Sequence, residues 1–221
     1  MRRGLVALGD SITRGRGGAP TLGVHPQSWA LWLAEALGLP ITNLGVDGAV
    51  AADLVRDQLP QLAPPYDLAT VFVGANDARS VGFDANAFDA DVATVVAALT
   101  AAAERLLVLT VPLDLGRPPA GRKVGVANEI LRRHAAAAGA VVCSLDDLAG
   151  PHVMLPDAVH PTSAGMVEIA DRAAAALGAP VRPSSLPHAS ARTDLMARAR
   201  YGAWYARRIA GDRRRRWKEA R

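Results

Sequence analysis

Short apolar runs alternate along most of this chain with longer stretches of helical spacing. Runs rich in Val, Leu and Ile at 4–8, 41–44, 68–73, 106–111 and 140–144 are bounded by Gly, Pro, Asn or Asp, the pattern of strands buried on both faces. Between them lie Ala/Leu-rich stretches at 28–37, 51–62, 87–105 and 122–138, and a fifth follows the last run at 163–177. Their apolar residues recur as on one face of an amphipathic helix. Five strands joined by such helices call for parallel pairing, right-handed crossovers and helices on both faces: a doubly wound three-layer αβα sandwich. Ligands of such sheets sit at the carboxyl ends of the strands.

That rule directs attention to the polar residues just past three strand ends. Ser11, in Gly9-Asp10-Ser11-Ile12-Thr13, follows the first; Asn43-Leu44-Gly45-Val46-Asp47-Gly48 follows the second; Gly74-Ala75-Asn76-Asp77 follows the third. In this topology the three loops converge on one crevice. A serine becomes a nucleophile when a base reaches its hydroxyl and a third group orients that base. Asp157-Ala158-Val159-His160-Pro161, far down the chain, offers both. One turn of loop can aim the Asp157 carboxylate at one imidazole nitrogen of His160 while the other nitrogen faces Ser11. An attacked carbonyl also needs donors where its negative charge develops. The candidates are the Ser11 backbone N–H, the Gly45 N–H, where a missing Cβ permits close approach, and the Asn76 amide. Asp10 is a supporting residue beside the nucleophile.

Each of these residues has an ordinary reading when taken alone. Ser11 could cap a turn, Gly45 and Gly48 could be tight-turn glycines, and Asn76-Asp77 could cap a helix; their joint presence with Asp157 and His160 points to a hydrolase. The other histidines compete poorly for the role of base. His134 sits beside Arg132 and Arg133 and reads as a solvated helix face, His188 falls in a Pro/Ser-rich linker, and His25 and His152 are candidates for the crevice rim. Loops 14–27, 79–84 and 113–117 leave the carboxyl edge and are expected to shape the acyl and alcohol pockets. Arg79 and Arg117 could pair with an anionic substrate group there, or serve only solubility. No H-E-x-x-H or C-x-x-C spacing occurs. The Arg14-Gly15-Arg16-Gly17-Gly18 stretch has neither the dinucleotide glycine pattern nor a P-loop Lys-Ser/Thr, so no metal and no cofactor are expected.

As a set, Gly9-Asp10-Ser11, Asn43-x-Gly45-x-x-Gly48, Gly74-x-Asn76-Asp77 and Asp157-x-x-His160-Pro161 resemble the four blocks of the SGNH hydrolase (GDSL-type esterase/lipase) family, over residues 4–178. The first block reads Gly-Asp-Ser-Ile-Thr where many members carry Gly-Asp-Ser-Leu, which keeps the serine in place. The resemblance implies a flavodoxin-like αβα sandwich of five parallel strands and a cofactor-free acyl transfer. By the same resemblance Ser11 is the nucleophile, Asp157 orients His160, His160 is general base and then acid, and Gly45 and Asn76 join the Ser11 N–H in the oxyanion hole. Activity is then expected to rise as His160 loses its proton. Family members cleave acetyl, longer acyl and thioester bonds, so fold and triad do not fix the substrate. A small-molecule ester with a short acyl chain is the expectation, because no long apolar lid segment is visible. Lysophospholipase, thioesterase and carbohydrate acetylesterase are the alternatives.

At 221 residues and 50% hydrophobic content, the chain suits one α/β domain at 1–180 followed by a linker and a basic helix or tail at 181–221. Its one cysteine, Cys143, reads as a buried strand position and excludes an internal disulfide. Met1-Arg2-Arg3 runs straight into Gly4-Leu5-Val6-Ala7-Leu8 without the makings of an export signal. No apolar run approaches the length of about 18 residues needed for a membrane span. A cytoplasmic protein is the expectation.

The net charge of +4 hides an asymmetry: from Val181 onward 12 basic residues face 3 acidic ones, net +9, leaving 13 basic and 18 acidic before it, net −5. Residues 189–211 read as a helix with Leu195, Met196, Ala199, Ala203, Trp204 and Ile209 among its apolar positions, and Arg213 to Arg216 as a solvated, mobile end. Four of the ten aromatic residues, Tyr201, Trp204, Tyr205 and Trp217, fall in this region. Such a segment suits packing on the acidic body, or an anionic surface or protein partner; nucleic acid is not favoured.

Overall fold

The protein is seen as a computed structural model that describes residues 3–17, 24–189 and 195–219. Strand β1 (Leu5–Gly9) leads into the four-residue helix α1 (Ser11–Arg14). Then come α2 (Trp29–Leu37), β2 (Ile41–Asn43), α3 (Ala51–Asp53), β3 (Tyr66–Phe72), α4 (Ala75–Arg79), α5 (Ala85–Ala102), β4 (Ala103–Leu109), α6 (Arg122–Ala137), β5 (Val141–Cys143), α7 (Ser163–Ala176) and α8 (Leu195–Glu219). The sheet runs β2-β1-β3-β4-β5 and every neighbouring pair is parallel. Period-two alternation divides every strand but β2 between two cores. Leu5 and Ala7 enter one with Trp29, Trp32 and Ile169 of α2 and α7, and Val6 and Leu8 enter the other with Val92, Leu99 and Leu131 of α5 and α6. The expected αβα sandwich is the one found.

Its details differ from the sequence expectations in three places. The helix expected at 87–105 ends at Ala102, and β4 starts at Ala103 rather than 106, with Ala103 opposite Tyr66 and Arg105 opposite Leu68. Glu104 and Arg105 look like a helix end in isolation, but ladder pairing with β3 overrides that local preference. The single helix expected at 51–62 breaks after α3 into a π turn, Leu54–Gln58, and a 3-10 turn, Leu59–Gln61, which holds Pro60. Helices α1 and α4 are too short for periodicity to reveal. Helix α5 is long and apolar enough to cross a membrane by length and composition alone; in this fold Phe88, Val92, Val95, Val96, Leu99 and Ala102 bury one face of it on the sheet. Cys143 is buried as expected, and burial pushes its thiol up to about 12.

Past α7, 3-10 turns at Pro183–Ser185 and Pro187–Ala189 lay Leu186 and Ala189 onto the core beside α2 and α7. His188 is no free linker residue: its Nε2 lies 3.1 Å from Glu35 Oε2 and its ring stacks on Trp32 at 4.8 Å. His25 packs edge-on against His188, at 6.0 Å. His134, expected to be solvated, is part-buried and paired with Asp89 between α6 and α5. Helix α8 runs beyond the expected 211 and takes in Arg213 to Arg216, so the basic run continues the helix rather than ending the ordered chain. Residues 190–194, the start of the expected helix, lie outside the described residues, as do the side chains of Leu195 and Met196. The body is reached through aromatics: Tyr201 is buried, donates its hydroxyl to the Pro151 carbonyl and stacks on His152 at 5.6 Å. Arg200, Arg207 and Arg208 are exposed.

Candidate active site

The chain leaves β1 through a turn that only glycine permits. Gly9 has φ 155°, and a Cβ there would lie 2.4 Å from both the Phe72 carbonyl oxygen and Thr13 Oγ1. Asp10 follows as the cap of α1, its carboxylate accepting the Ile12 N–H at 2.9 Å. Ser11 is therefore the first residue of a helical turn, buried, with no intrahelical acceptor for its own N–H.

The loop before α7 meets it. His160 Nε2 lies 3.1 Å from Ser11 Oγ, and His160 Nδ1 lies 2.9 Å from Asp157 Oδ2. A carboxylate only accepts, so Nδ1 carries the proton and Nε2 is left to accept from the serine hydroxyl. The other Asp157 oxygen accepts the N–H groups of Val159 at 2.9 Å and His160 at 3.0 Å. Burial alone pushes the Asp157 carboxyl up, but hydrogen bonds from the His160 ring and from these two N–H groups outweigh it and hold the group below its ordinary value. The turn is braced on both sides: Leu155 donates to the His160 carbonyl at 2.8 Å and Gly116 to the Ala158 carbonyl at 2.8 Å. Ala158, at φ 51°, is the one non-glycine residue with positive φ among the described residues. That conformation costs about 1 kcal/mol and persists because its neighbours are tied down.

The loops after β2 and β3 close on the same turn. Asn43 donates its amide to the Thr13 carbonyl at 2.8 Å and accepts the Gly45 N–H at 3.0 Å. A Cβ on Gly45 would fall 2.6 Å from the Arg14 nitrogen, so the loop lies flat on α1 only because that residue is glycine. Asn76 donates to the Ala49 carbonyl at 3.0 Å and approaches Asp10 Oδ2 at 3.5 Å. Gly45 and Asn76, two of the three expected oxyanion donors, thus sit against the Asp10–Ser11 turn, held by protein acceptors. Asp10 is pushed up from 3.8 to about 6, chiefly by burial; the Ile12 N–H and His160 oppose the shift, and Asp77 adds to it.

Gln58, in the π turn, escaped the sequence reading. It is fully buried and grips one residue twice: Oε1 accepts the Gly9 N–H at 3.0 Å and Nε2 donates to the Gly9 carbonyl at 2.8 Å. The same carbonyl accepts the Val46 N–H at 3.1 Å, so Gln58, the end of β1 and the Gly45 loop form one unit. The available signal was an amide on the apolar stripe Leu54, Gln58, Leu62. Asn128 makes the same two-way grip on Val111 past the end of β4. Arg117, expected as an anion partner, is already paired with Asp114 at 2.6 Å, and Arg79 lies beside Gly116. Among the described residues, no group of three or more His, Cys, Asp or Glu is placed to hold a metal ion.

A model of the GDSL-like lipase/acylhydrolase family matches residues 7–167, well over half of the chain. No curated protein matches the sequence. Among solved structures, LAE5, an alpha/beta hydrolase enzyme from the metagenome of Lake Arreo, Spain, is similar with a TM-score of 0.63 at 23% identity, over 79% of this chain and 94% of that one. Axe2, an acetylxylan esterase from Geobacillus stearothermophilus, is similar with a TM-score of 0.63 at 19% identity, over 80% of this chain and 97% of that one. At these identities the likeness is one of fold.

Proposed function

Because this chain belongs to the GDSL-like lipase/acylhydrolase family of ester-hydrolysing enzymes, we propose that it cleaves short-chain carboxylic esters through an acyl-enzyme on Ser11. Ser11 Oγ attacks the ester carbonyl carbon while its proton passes to His160 Nε2. The tetrahedral intermediate collapses as the alcohol oxygen leaves with that proton. Water, giving a proton to His160 in its turn, attacks the acyl-enzyme, and the second tetrahedral intermediate breaks its bond to Ser11 Oγ, which takes that proton back from His160 as the acid leaves. Asp157 keeps the proton on Nδ1 and stabilises the imidazolium between the two transfers. The Ser11 N–H, the Gly45 N–H and the Asn76 amide receive the developing oxyanion, and the last two exchange an existing acceptor for it. Asp10 supports the arrangement by capping α1 and approaching Asn76.

The observation that carries this reading is the unbroken relay of Ser11 Oγ, His160 and Asp157, at 3.1 and 2.9 Å. Ser11→Ala should remove turnover of nitrophenyl acetate while leaving the circular dichroism spectrum unchanged. Turnover at the wild-type rate in that variant would refute the assignment. Asn76→Ala should lower kcat about a hundredfold or more, the usual effect of losing one oxyanion donor.

A further inference from the structure

His160 hangs from one arm of a short hairpin. The chain turns at Gly150, φ 102°, whose carbonyl accepts the N–H groups of Val153 at 3.1 Å and Met154 at 2.8 Å. Residues 152–155 then run beside 160–162. Met154 bridges Pro161 in antiparallel fashion, the Val153 carbonyl accepts the Thr162 N–H at 2.8 Å, and the His152 carbonyl accepts the Thr162 hydroxyl at 2.7 Å. Leu155 closes the pairing by donating to the His160 carbonyl at 2.8 Å. A Cβ on Gly165 would lie 2.0 Å from the Val153 carbonyl oxygen, so the same arm lies flat on the start of α7. Whatever moves residues 151–155 therefore moves the imidazole.

Helix α8 reaches that arm from outside residues 7–167, the part that the family model matches. Among the described residues Tyr201 is its one buried side chain. The Tyr201 hydroxyl donates to the Pro151 carbonyl, and its ring stacks on His152 with centres 5.6 Å apart and planes 26° apart. Burial, and then Tyr205, push the phenol up to about 12, so the hydroxyl keeps its proton as donor through neutral pH. One and two turns further along, Tyr205 and Ile209 share with Leu155, Pro156 and Ala158 the lining of a cavity of about 310 Å³. Side chains that border a void lack partner atoms on that side. Beside Asp157 the helix thus leaves the hairpin room to shift, and the clasp at Tyr201 is the firm join between the two.

We propose that Tyr201 is a positioning residue for ester cleavage: by clasping Pro151 and His152 it fixes the hairpin that holds His160 at 3.1 Å from Ser11 Oγ, which makes α8 the brace of the general base. The proposal rests on the Ser11 reading above. Because the clasp acts on the base and not on the walls that bind substrate, its loss falls on kcat. In the full-length chain Tyr201→Ala should lower kcat for nitrophenyl acetate about tenfold or more, since misplacing a reacting group by about 1 Å costs about a hundredfold; KM should stay within about twofold. Tyr201→Phe keeps the stacked ring and loses one neutral hydrogen bond, so its kcat should fall about threefold, and it decides the matter alone if Tyr201→Ala does not fold by circular dichroism. The proton NMR signal of His160 Nδ1–H, identified by its loss in His160→Ala, reports the base directly and should shift or broaden in both variants. Wild-type kcat in the folded variants overturns the proposal. So does a fall in kcat with the His160 signal unmoved, the mark of a merely structural role; both results leave the nucleophile reading standing. A wild type that neither hydrolyses the ester nor takes up a fluorophosphonate at Ser11 sinks the two readings together.

Discussion

Asp10 holds a carboxyl in a nearly dry site beside Ser11, and its cost depends on pH. Its ordinary value of 3.8 becomes about 6 in the folded chain. Above that value both folded and unfolded states are ionised, and the folded one bears a penalty of about 3 kcal/mol for a shift of about two units. Below 3.8 both are protonated and the penalty is gone. Between the two, the folded state binds more protons, so stability from this group falls as pH rises. Asp10→Asn keeps an oxygen to cap Ile12 and removes the charge. Urea unfolding should therefore show the variant gaining up to about 3 kcal/mol on the wild type between pH 4 and pH 8; an equal gap at both pH values would contradict this. Ser11, Asp157 and His160 could be singled out together because acyl transfer would need those types at strand ends and turn spacing, and the structure brings their side chains within hydrogen-bond reach. The role of Asp10 as a cap under strain from burial was not legible, because a motif names a residue without its solvation.

The π turn at Leu54–Gln58 shows what one element adds to a site it does not touch. Gln58 holds both backbone polar groups of Gly9, two residues before Ser11. Gln58→Leu fills similar space but leaves the Gly9 N–H without this acceptor, a loss of about 1–3 kcal/mol. Thermal melting should shift downward, and kcat should fall by a larger factor than KM changes, because the loosened unit joins Ser11 to the Gly45 loop. An unchanged melting temperature with wild-type kcat would show the grip to be idle. The strands were readable because apolar runs bounded by turn residues have few other solutions. The break in the 51–62 helix was not, because Gln58 looks like one polar residue on an apolar stripe until Gly9 is placed beside it. The start of β4 was hidden in the same way, since Glu104 and Arg105 become strand residues only when β3 is alongside.

For the molecule as a whole, the sequence reading reached the αβα sandwich, and the two cores explain why: alternate positions in the strands are apolar on both faces. It left the C-terminal segment open, because aromatics mixed with arginines do not announce which side meets the body. In the structure Tyr201 meets His152 and Pro151 of the body, and Arg200, Arg207 and Arg208 are exposed. Among the described residues, Ala189 is the last that belongs to either core. A chain ending there should unfold cooperatively with Tm within about 4 °C of the full-length protein, the shift expected from a loss of about 1 kcal/mol in a chain of this size; a molten or insoluble product would mean that α8 is part of the folding unit. Ester cleavage as proposed stands on the reactivity of one hydroxyl, that of Ser11. Incubation with a fluorophosphonate, followed by peptide mass mapping, should place a single adduct on Ser11 that disappears in Ser11→Ala and forms far more slowly in His160→Ala. An adduct on any other serine, or undiminished labelling of Ser11→Ala, would contradict it.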